Sequence, residues 1–263
     1  MRKVVSRDGT TIAYQQAGDG PPLVLLGGGF RDHTIFNPIV PGLAPYLSTY
    51  VYDRRGRGES GDSPAYAVER EIEDLAAVIA EAGGEAAVFG GSSGAILALE
   101  AAMADIGITR LVLLEPPYRM PGQQRPPDGF AEHLQSLLDQ EKRGAAAEYF
   151  LEGMVGFTPE EIATWRAGPM WPANEAVAHT LPYDTAVCGD GRLPVERLAR
   201  LDVPTLVINS DSTSEWLRVA AEATAAALPN GRQVTLPGVW HKVPAEVLCP
   251  AVVEFVTGKR AEA

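Results

Sequence analysis

Short apolar runs alternate along this chain with longer amphipathic stretches. Residues 2–7 and 10–16 flank Asp8-Gly9, a dipeptide that suits a tight turn, and predict a hairpin. Pro22 to Leu26 is a continuous apolar run ending in Gly27-Gly28-Gly29, and Thr49 to Asp53 is a second short strand. Between Val68 and Ala82, Ile72, Leu75, Ala76 and Ile79 recur at helical spacing and predict a helix. An apolar strand over 85–89, an Ala- and Leu-rich helix over 93–104 and a buried-type strand over 110–114 follow. Two antiparallel strands leading into alternating strands and helices imply a mostly parallel sheet.

The alternation stops at Glu115-Pro116-Pro117, and residues 117–192 hold no convincing core strand. Gly129 to Gly156 reads as helix, with Phe130, Leu134, Leu137 and Leu138 at helical spacing. Residues 159–167 and 173–181 read as shorter helices. Trp165, Met170, Trp171 and Tyr183 belong either to the core of this helical segment or to a pocket wall. The sheet pattern resumes at Val203 to Asn209, followed by a helix over 215–228, a last strand over 233–236 and a closing helix over 245–257. The prediction is a core domain of residues 1–116 and 193–263, interrupted by a helical cap over 117–192. The tail from Gly258 to Ala263 is expected to fray.

At 263 residues, with 46% hydrophobic and 21% charged side chains, the chain has enough material for one large globular domain. A formal charge of −12 argues against a nucleic acid or an anionic membrane as partner, since both demand clustered Lys and Arg. Cys188 and Cys249 are far apart and in no metal-ligand spacing, so two free thiols in a reducing cell are expected. The start of the chain has no apolar signal-like core and no stretch is long enough to span a bilayer, which predicts a cytoplasmic protein.

The chemistry concentrates at Val88-Phe89-Gly90-Gly91-Ser92-Ser93-Gly94-Ala95-Ile96. A strand running into G-x-S-x-G and then into a helix has the form of a nucleophile elbow. The turn is too tight for large side chains, and the helix N-terminus behind the serine presents N–H groups suited to an oxyanion. A serine hydroxyl is a poor nucleophile at neutral pH and needs a base beside it. Of the four histidines, His33 lies by the Gly-rich run, His133 and His179 lie in the helical segment, and His241 follows the last strand.

The Gly-rich turn at 27–29, Asp53-Arg54-Arg55-Gly56-Arg57-Gly58-Glu59-Ser60, the elbow and the late His241 occur in an order that resembles the α/β-hydrolase superfamily across nearly the whole chain. The resemblance implies a mostly parallel eight-stranded sheet flanked by helices. It also implies a triad with Ser92 as nucleophile and His241 as general base. The acid has two candidates. In most relatives it follows the strand after the cap, where Thr213 stands at the usual position and Asp211 lies two residues early. Glu115 instead ends the strand after the elbow helix, the place used by haloalkane dehalogenases and fungal zearalenone lactonases. The lactonase branch is similar in its Ser-Ser-Gly-Ala elbow, its Pro after the acid and a Leu-Pro-Gly run before the histidine, here Leu236-Pro237-Gly238. Glu115 is the favoured acid and Asp211 the alternative.

The expected oxyanion hole combines the Ser93 N–H with that of Gly29, or of Phe30 if the register slips by one. Phe30, His33, Trp171 and Tyr183 are the expected substrate-pocket residues, and no metal or cofactor is expected. The leading expectation is a cofactor-free serine hydrolase that cleaves a small-molecule ester or lactone. The same scaffold also hosts lyases, cyclases, cofactor-free haloperoxidases and receptor-like binding proteins, because a fold does not fix a reaction.

Overall fold

The computed structural model describes residues 1–259; of the tail expected to fray, residues 260–263 lie outside the described part. Eight strands form one sheet: β1 (Arg2–Val5), β2 (Thr11–Ala17), β3 (Pro22–Leu26), β4 (Ser48–Tyr52), β5 (Ala86–Gly91), β6 (Ile108–Leu114), β7 (Thr205–Ser210) and β8 (Gly231–Leu236). Their spatial order is β1-β2-β4-β3-β5-β6-β7-β8. β2 runs antiparallel to both β1 and β4, and every other pairing is parallel. This is the α/β-hydrolase fold.

The helices are α1 (Val40–Leu43), α2 (Val68–Glu81), α3 (Ser93–Met103), α4 (Phe130–Asp139), α5 (Arg143–Phe150), α6 (Pro159–Ala167), α7 (Trp171–Ala176), α8 (Leu181–Cys188), α9 (Val195–Leu198), α10 (Glu215–Ala227) and α11 (Ala245–Thr257). Strand side chains alternate between two cores, as the period of two requires. Val24 and Leu26 of β3, Leu111 and Leu113 of β6 and Val207 of β7 join α2, α3 and α10 on one face. Leu23 and Leu25, Val112 and Leu114, and Leu206 and Ile208 join α1 and α11 on the other. Both faces are covered, so the inner strands are continuous apolar runs.

Between β6 and β7 the described residues contribute helices and no strand of the sheet. They build a third apolar cluster around Phe130, Leu134, Phe150, Trp171 and Leu181. The single helix expected over 129–156 is broken. α4 stops before Gln140, Glu141 sits at φ 59°, and α5 runs into a π-helical turn over Leu151–Val155 that Gly156 ends at φ 86°. The helix expected over 173–181 is also divided. Pro172 and Pro182 stand in the first turns of α7 and α8, where the missing proline N–H costs nothing and a new helix starts.

The sheet has a switch point. From β3 the chain crosses to β4 on one side, while β5 pairs with β3 on the other, with Leu26 opposite Gly90. Loops leaving the C-terminal ends of strands at such a point diverge and open a crevice. Here those loops carry Gly27–Phe30 and Ser92.

Candidate active site

At the end of β5 the chain turns through Ser92, at φ 55° and ψ −127°, into α3. A residue with a Cβ pays about 1–3 kcal/mol for such a conformation, and its persistence marks a place where geometry outweighs comfort. The flanking glycines follow from contact. A Cβ on Gly90 would lie 2.4 Å from the Gly94 oxygen, and one on Gly94 would lie 2.7 Å from the Gly27 oxygen. One on Gly28 would lie 2.8 Å from Ser92 Cβ. The Gly-rich loop and the elbow are therefore packed backbone against backbone. Gly29, Phe30, Ser92 and Ser93 all reach the wall of one cavity of about 510 Å³. The N–H groups of Gly29, Phe30 and Ser93 meet no acceptor among the described residues.

His241 arrives from the far end of the sheet. After β8, Val239 and Lys242 exchange both backbone hydrogen bonds, at 3.0 and 2.8 Å. Trp240 and His241 form the tip between them at φ 26° and 60°. A two-residue tip with both φ values positive belongs to a primed turn, normally filled by Asn-Gly. A tryptophan and a histidine in that place are strained. Glu115 overdetermines the strain: its Oε2 accepts the His241 backbone N–H at 2.8 Å and lies 2.6 Å from His241 Nδ1.

Glu115 stands one residue past β6, is 0% exposed, and is itself at φ 48°. Its other oxygen accepts the Ser210 N–H at 2.8 Å and the Ser210 hydroxyl at 2.6 Å. Burial alone would raise its pKa. The His241 hydrogen bond and charge, with the two Ser210 bonds, outweigh burial and hold it at about 2. Asp211 is elsewhere: exposed, with Oδ1 accepting the Gly238 N–H at 3.1 Å, it braces the root of the His241 hairpin. His241 and Ser92 line the same cavity, and no hydrogen bond among the described residues joins their side chains.

Behind the Gly-rich loop lies a buried ionic cluster. Asp184 of α8 is fully buried and accepts from Arg54 at 2.7 Å, Arg57 at 2.6 Å and Ser93 Oγ at 2.7 Å. Burial works against its charge, but Arg57 and Arg54 prevail and hold its carboxyl below the ordinary range. Arg54 also makes two 2.6 Å bonds to Glu71, and Arg57 donates to the Gly28 oxygen at 2.6 Å. The helical segment, the Gly-rich loop and the residue after Ser92 are thus tied through one carboxylate. Arg54 and Arg57 belong to the 53–60 run already quoted from the sequence, but Asp184 had no local signal.

Of the expected pocket residues, Phe30 lines the cavity and His33, Trp171 and Tyr183 do not. His33 turns to Asp53, with Nδ1 2.8 Å from Oδ1. Asp32 joins them in a group whose ligand-type atoms lie within 4.8 Å, but Asp53 already accepts from His33 and Glu59, and Asp32 from Thr34. Trp171 is buried in the third cluster, at 7% exposure. Tyr183 stacks on Tyr66 with ring centres 3.9 Å apart and reaches Asp62. Trp165, read as core or pocket wall, does line the cavity, and the rest of the wall includes residues with no sequence motif, Trp216, Trp240, Arg31 and Arg119. Both cysteines are free and buried, and no described helix is long and apolar enough to cross a membrane.

The model of the alpha/beta hydrolase family matches residues 23–253. A solved structure of an alpha/beta hydrolase from Sphaerobacter thermophilus DSM 20745 is 47% identical, covers 97% of this chain and 100% of that one, and superposes with a TM-score of 0.93. N-formylmaleamate deformylase of Pseudomonas putida KT2440 is 32% identical over 138 residues, 51% of this chain and 52% of that protein. The hydrolase YraK of Bacillus subtilis strain 168 is 35% identical over 96 residues, 35% of each chain. The matches therefore span between about a third and a half of these two curated relatives.

Proposed function

The chain belongs to the alpha/beta hydrolase family, and on that premise we propose that it is a cofactor-free serine hydrolase of small carboxylic esters or lactones. The observation that carries the reading is the Glu115–His241 pair, 2.6 Å apart, with His241 on the wall of the cavity that Ser92 enters from a strained turn. Its hydrolase relatives support the reaction type.

In this reading His241 takes the Ser92 proton as Oγ attacks the carbonyl carbon. Glu115 holds the ring tautomer and stabilises the imidazolium. The oxyanion is met by the free N–H groups of Ser93 and Gly29. His241 then protonates the leaving alcohol as the C–O bond breaks. Water, losing its proton to His241, attacks the acyl-enzyme and releases the acid and Ser92. Residues 117–192 act as a lid, and Leu151, Met154 and Trp165 from it give the cavity an apolar side. The lactonase resemblance of the elbow and of Glu115 favours a lactone among the esters. Two buried free thiols fit a reducing cytoplasm.

The experiment is intact mass after exposure to a serine-reactive phosphonate. One adduct on the wild type, lost in Ser92→Ala and in His241→Ala, is expected. A folded wild type that takes no adduct while its cavity binds a fluorescent apolar probe would overturn the proposal. Incorporation of one solvent oxygen into the product separates hydrolysis from lyase or cyclase chemistry.

A further inference from the structure

The cavity is lined by three cationic side chains, Arg31, Arg119 and Lys242, and by no carboxylate. The chain as a whole has 34 acidic and 22 basic residues, so this wall departs from the composition. Lys242 is exposed, and Arg31 stands beside Asp32 with its guanidinium 5.7 Å from the Trp165 ring centre. Arg119 has no such counter-charge.

Arg119 follows β6 and Pro116-Pro117, and its backbone N–H is fixed to the Gly191 oxygen at 2.7 Å. Its guanidinium stacks 3.4 Å from the Trp216 ring centre. One nitrogen, Nη2, donates to the carbonyls of Met154 and Val155 in the π-helical turn, at 2.9 and 3.3 Å. Nε and Nη1 meet no acceptor among the described residues. Burial lowers its pKa to about 10, so it stays a cation at neutral pH. The charged-type neighbour is the Cys188 thiol, which burial pushes up to about 12 and keeps neutral. The deeply buried guanidiniums are treated differently: Arg54, Arg55 and Arg57 each have a carboxylate within 2.8 Å. Leaving a half-buried charge without a partner is costly, and a ligand that supplies the partner removes the cost. Arg119 also borders a surface groove lined by Arg125 and by Arg192, the latter paired with Asp190 at 3.4 Å.

We propose that Arg119 is the anion-recognition residue of this cavity, and that the substrate is an ester or lactone bearing a free carboxylate away from the reacting carbonyl. The carboxylate accepts charge-assisted hydrogen bonds from Arg119 while Ser92 attacks the other end. The inference rests on the hydrolase reading above.

The test compares p-nitrophenyl hydrogen adipate with p-nitrophenyl hexanoate, esters of equal chain length that differ in the carboxylate. Wild type is expected to prefer the adipate ester, chiefly through KM, and to lose that preference as salt rises. Arg119→Gln should lower the kcat/KM ratio of the two esters about 30-fold, equivalent to about 2 kcal/mol, with Arg119→Lys restoring part of it. A merely structural clamp on the π-helical turn would move both esters together and leave the ratio alone. Equal use of the two esters by wild type, with the Ser92 adduct still forming, overturns this inference and leaves the hydrolase reading standing. If neither ester is cleaved and no adduct forms, the hydrolase reading falls. Calorimetric binding of adipate to wild type and not to Arg119→Gln then sustains the anion site, and no binding to either overturns it.

Discussion

Replacing Glu115 by Gln removes one charge from a fully buried position and changes almost no volume. Three hydrogen-bond donors converge on the carboxylate, the His241 N–H on Oε2 and the Ser210 N–H and hydroxyl on Oε1, and His241 Nδ1 lies 2.6 Å from Oε2. A glutamine offers one acceptor oxygen and turns its NH₂ toward one of these pairs, whichever way the amide is flipped. The net environment holds the Glu115 pKa at about 2 against an ordinary value of 4.5. At 1.36 kcal/mol per pH unit, that is about 3 kcal/mol of stability at neutral pH that a neutral side chain forfeits. On the proposed hydrolase reading, the matching loss is roughly 10⁴-fold in kcat, the order seen when a triad carboxylate is neutralised and the histidine tautomer is freed. Asp211→Asn is the paired variant. Asp211 is exposed and its bond to the Gly238 N–H survives as an amide oxygen, so the expected cost is below about 1 kcal/mol with turnover within tenfold. Urea unfolding at pH 7, with the slope checked for constancy, reads the stabilities, and steady-state ester hydrolysis reads the activity. The reasoning is refuted if Glu115→Gln unfolds within 1 kcal/mol of wild type and turns over within tenfold, or if Asp211→Asn is the variant that dies.

The same linkage sets an acid limit. Because the folded pKa of Glu115 lies below its ordinary value, its contribution is present above about pH 4.5 and is lost as pH falls toward about 2. The stability gap between wild type and Glu115→Gln should narrow over that window in urea melts, and a constant gap would show that the charge is not what holds the site. Asp184→Ala leaves Arg54 and Arg57 buried and short of a partner, so a loss of about 3–5 kcal/mol is expected by denaturant unfolding, with Asp184→Asn milder; a loss under 1 kcal/mol contradicts the clamp. Gly28→Ala drives a methyl to within 2.8 Å of Ser92 Cβ. It should cut kcat/KM about 100-fold through a displacement of the reacting group, while costing about 1–3 kcal/mol in stability; unimpaired phosphonate labelling would rule that out.

The elements that the chain announces by itself are those whose cause is local. The continuous apolar run Pro22–Leu26 made β3 legible, and the spacing of Ile72, Leu75, Ala76 and Ile79 made α2 legible, because a strand or helix face depends on neighbours one turn away. The elbow was legible for the same reason: Gly90, Ser92 and Gly94 answer to contacts within one turn and the adjacent strand. Which carboxylate meets His241 was not legible in this way. Glu115 and Asp211 both follow the ends of neighbouring parallel strands, and the register Leu114 to Ile208 decides which of them faces the hairpin tip. The break at Gln140–Lys142 and the separate helix α8 also escaped periodicity, since the apolar spacing carries no mark of the positive φ at Glu141 or of the new start at Pro182. His33, Trp171 and Tyr183 were drawn elsewhere by Asp53, the third cluster and Tyr66, while Arg119 and three tryptophans supplied the cavity wall. Side-chain partnership across elements is settled by burial and the pairing of charge in three dimensions. That information is spread over residues as distant as Arg54 and Asp184, 130 positions apart, and no window along the chain contains it.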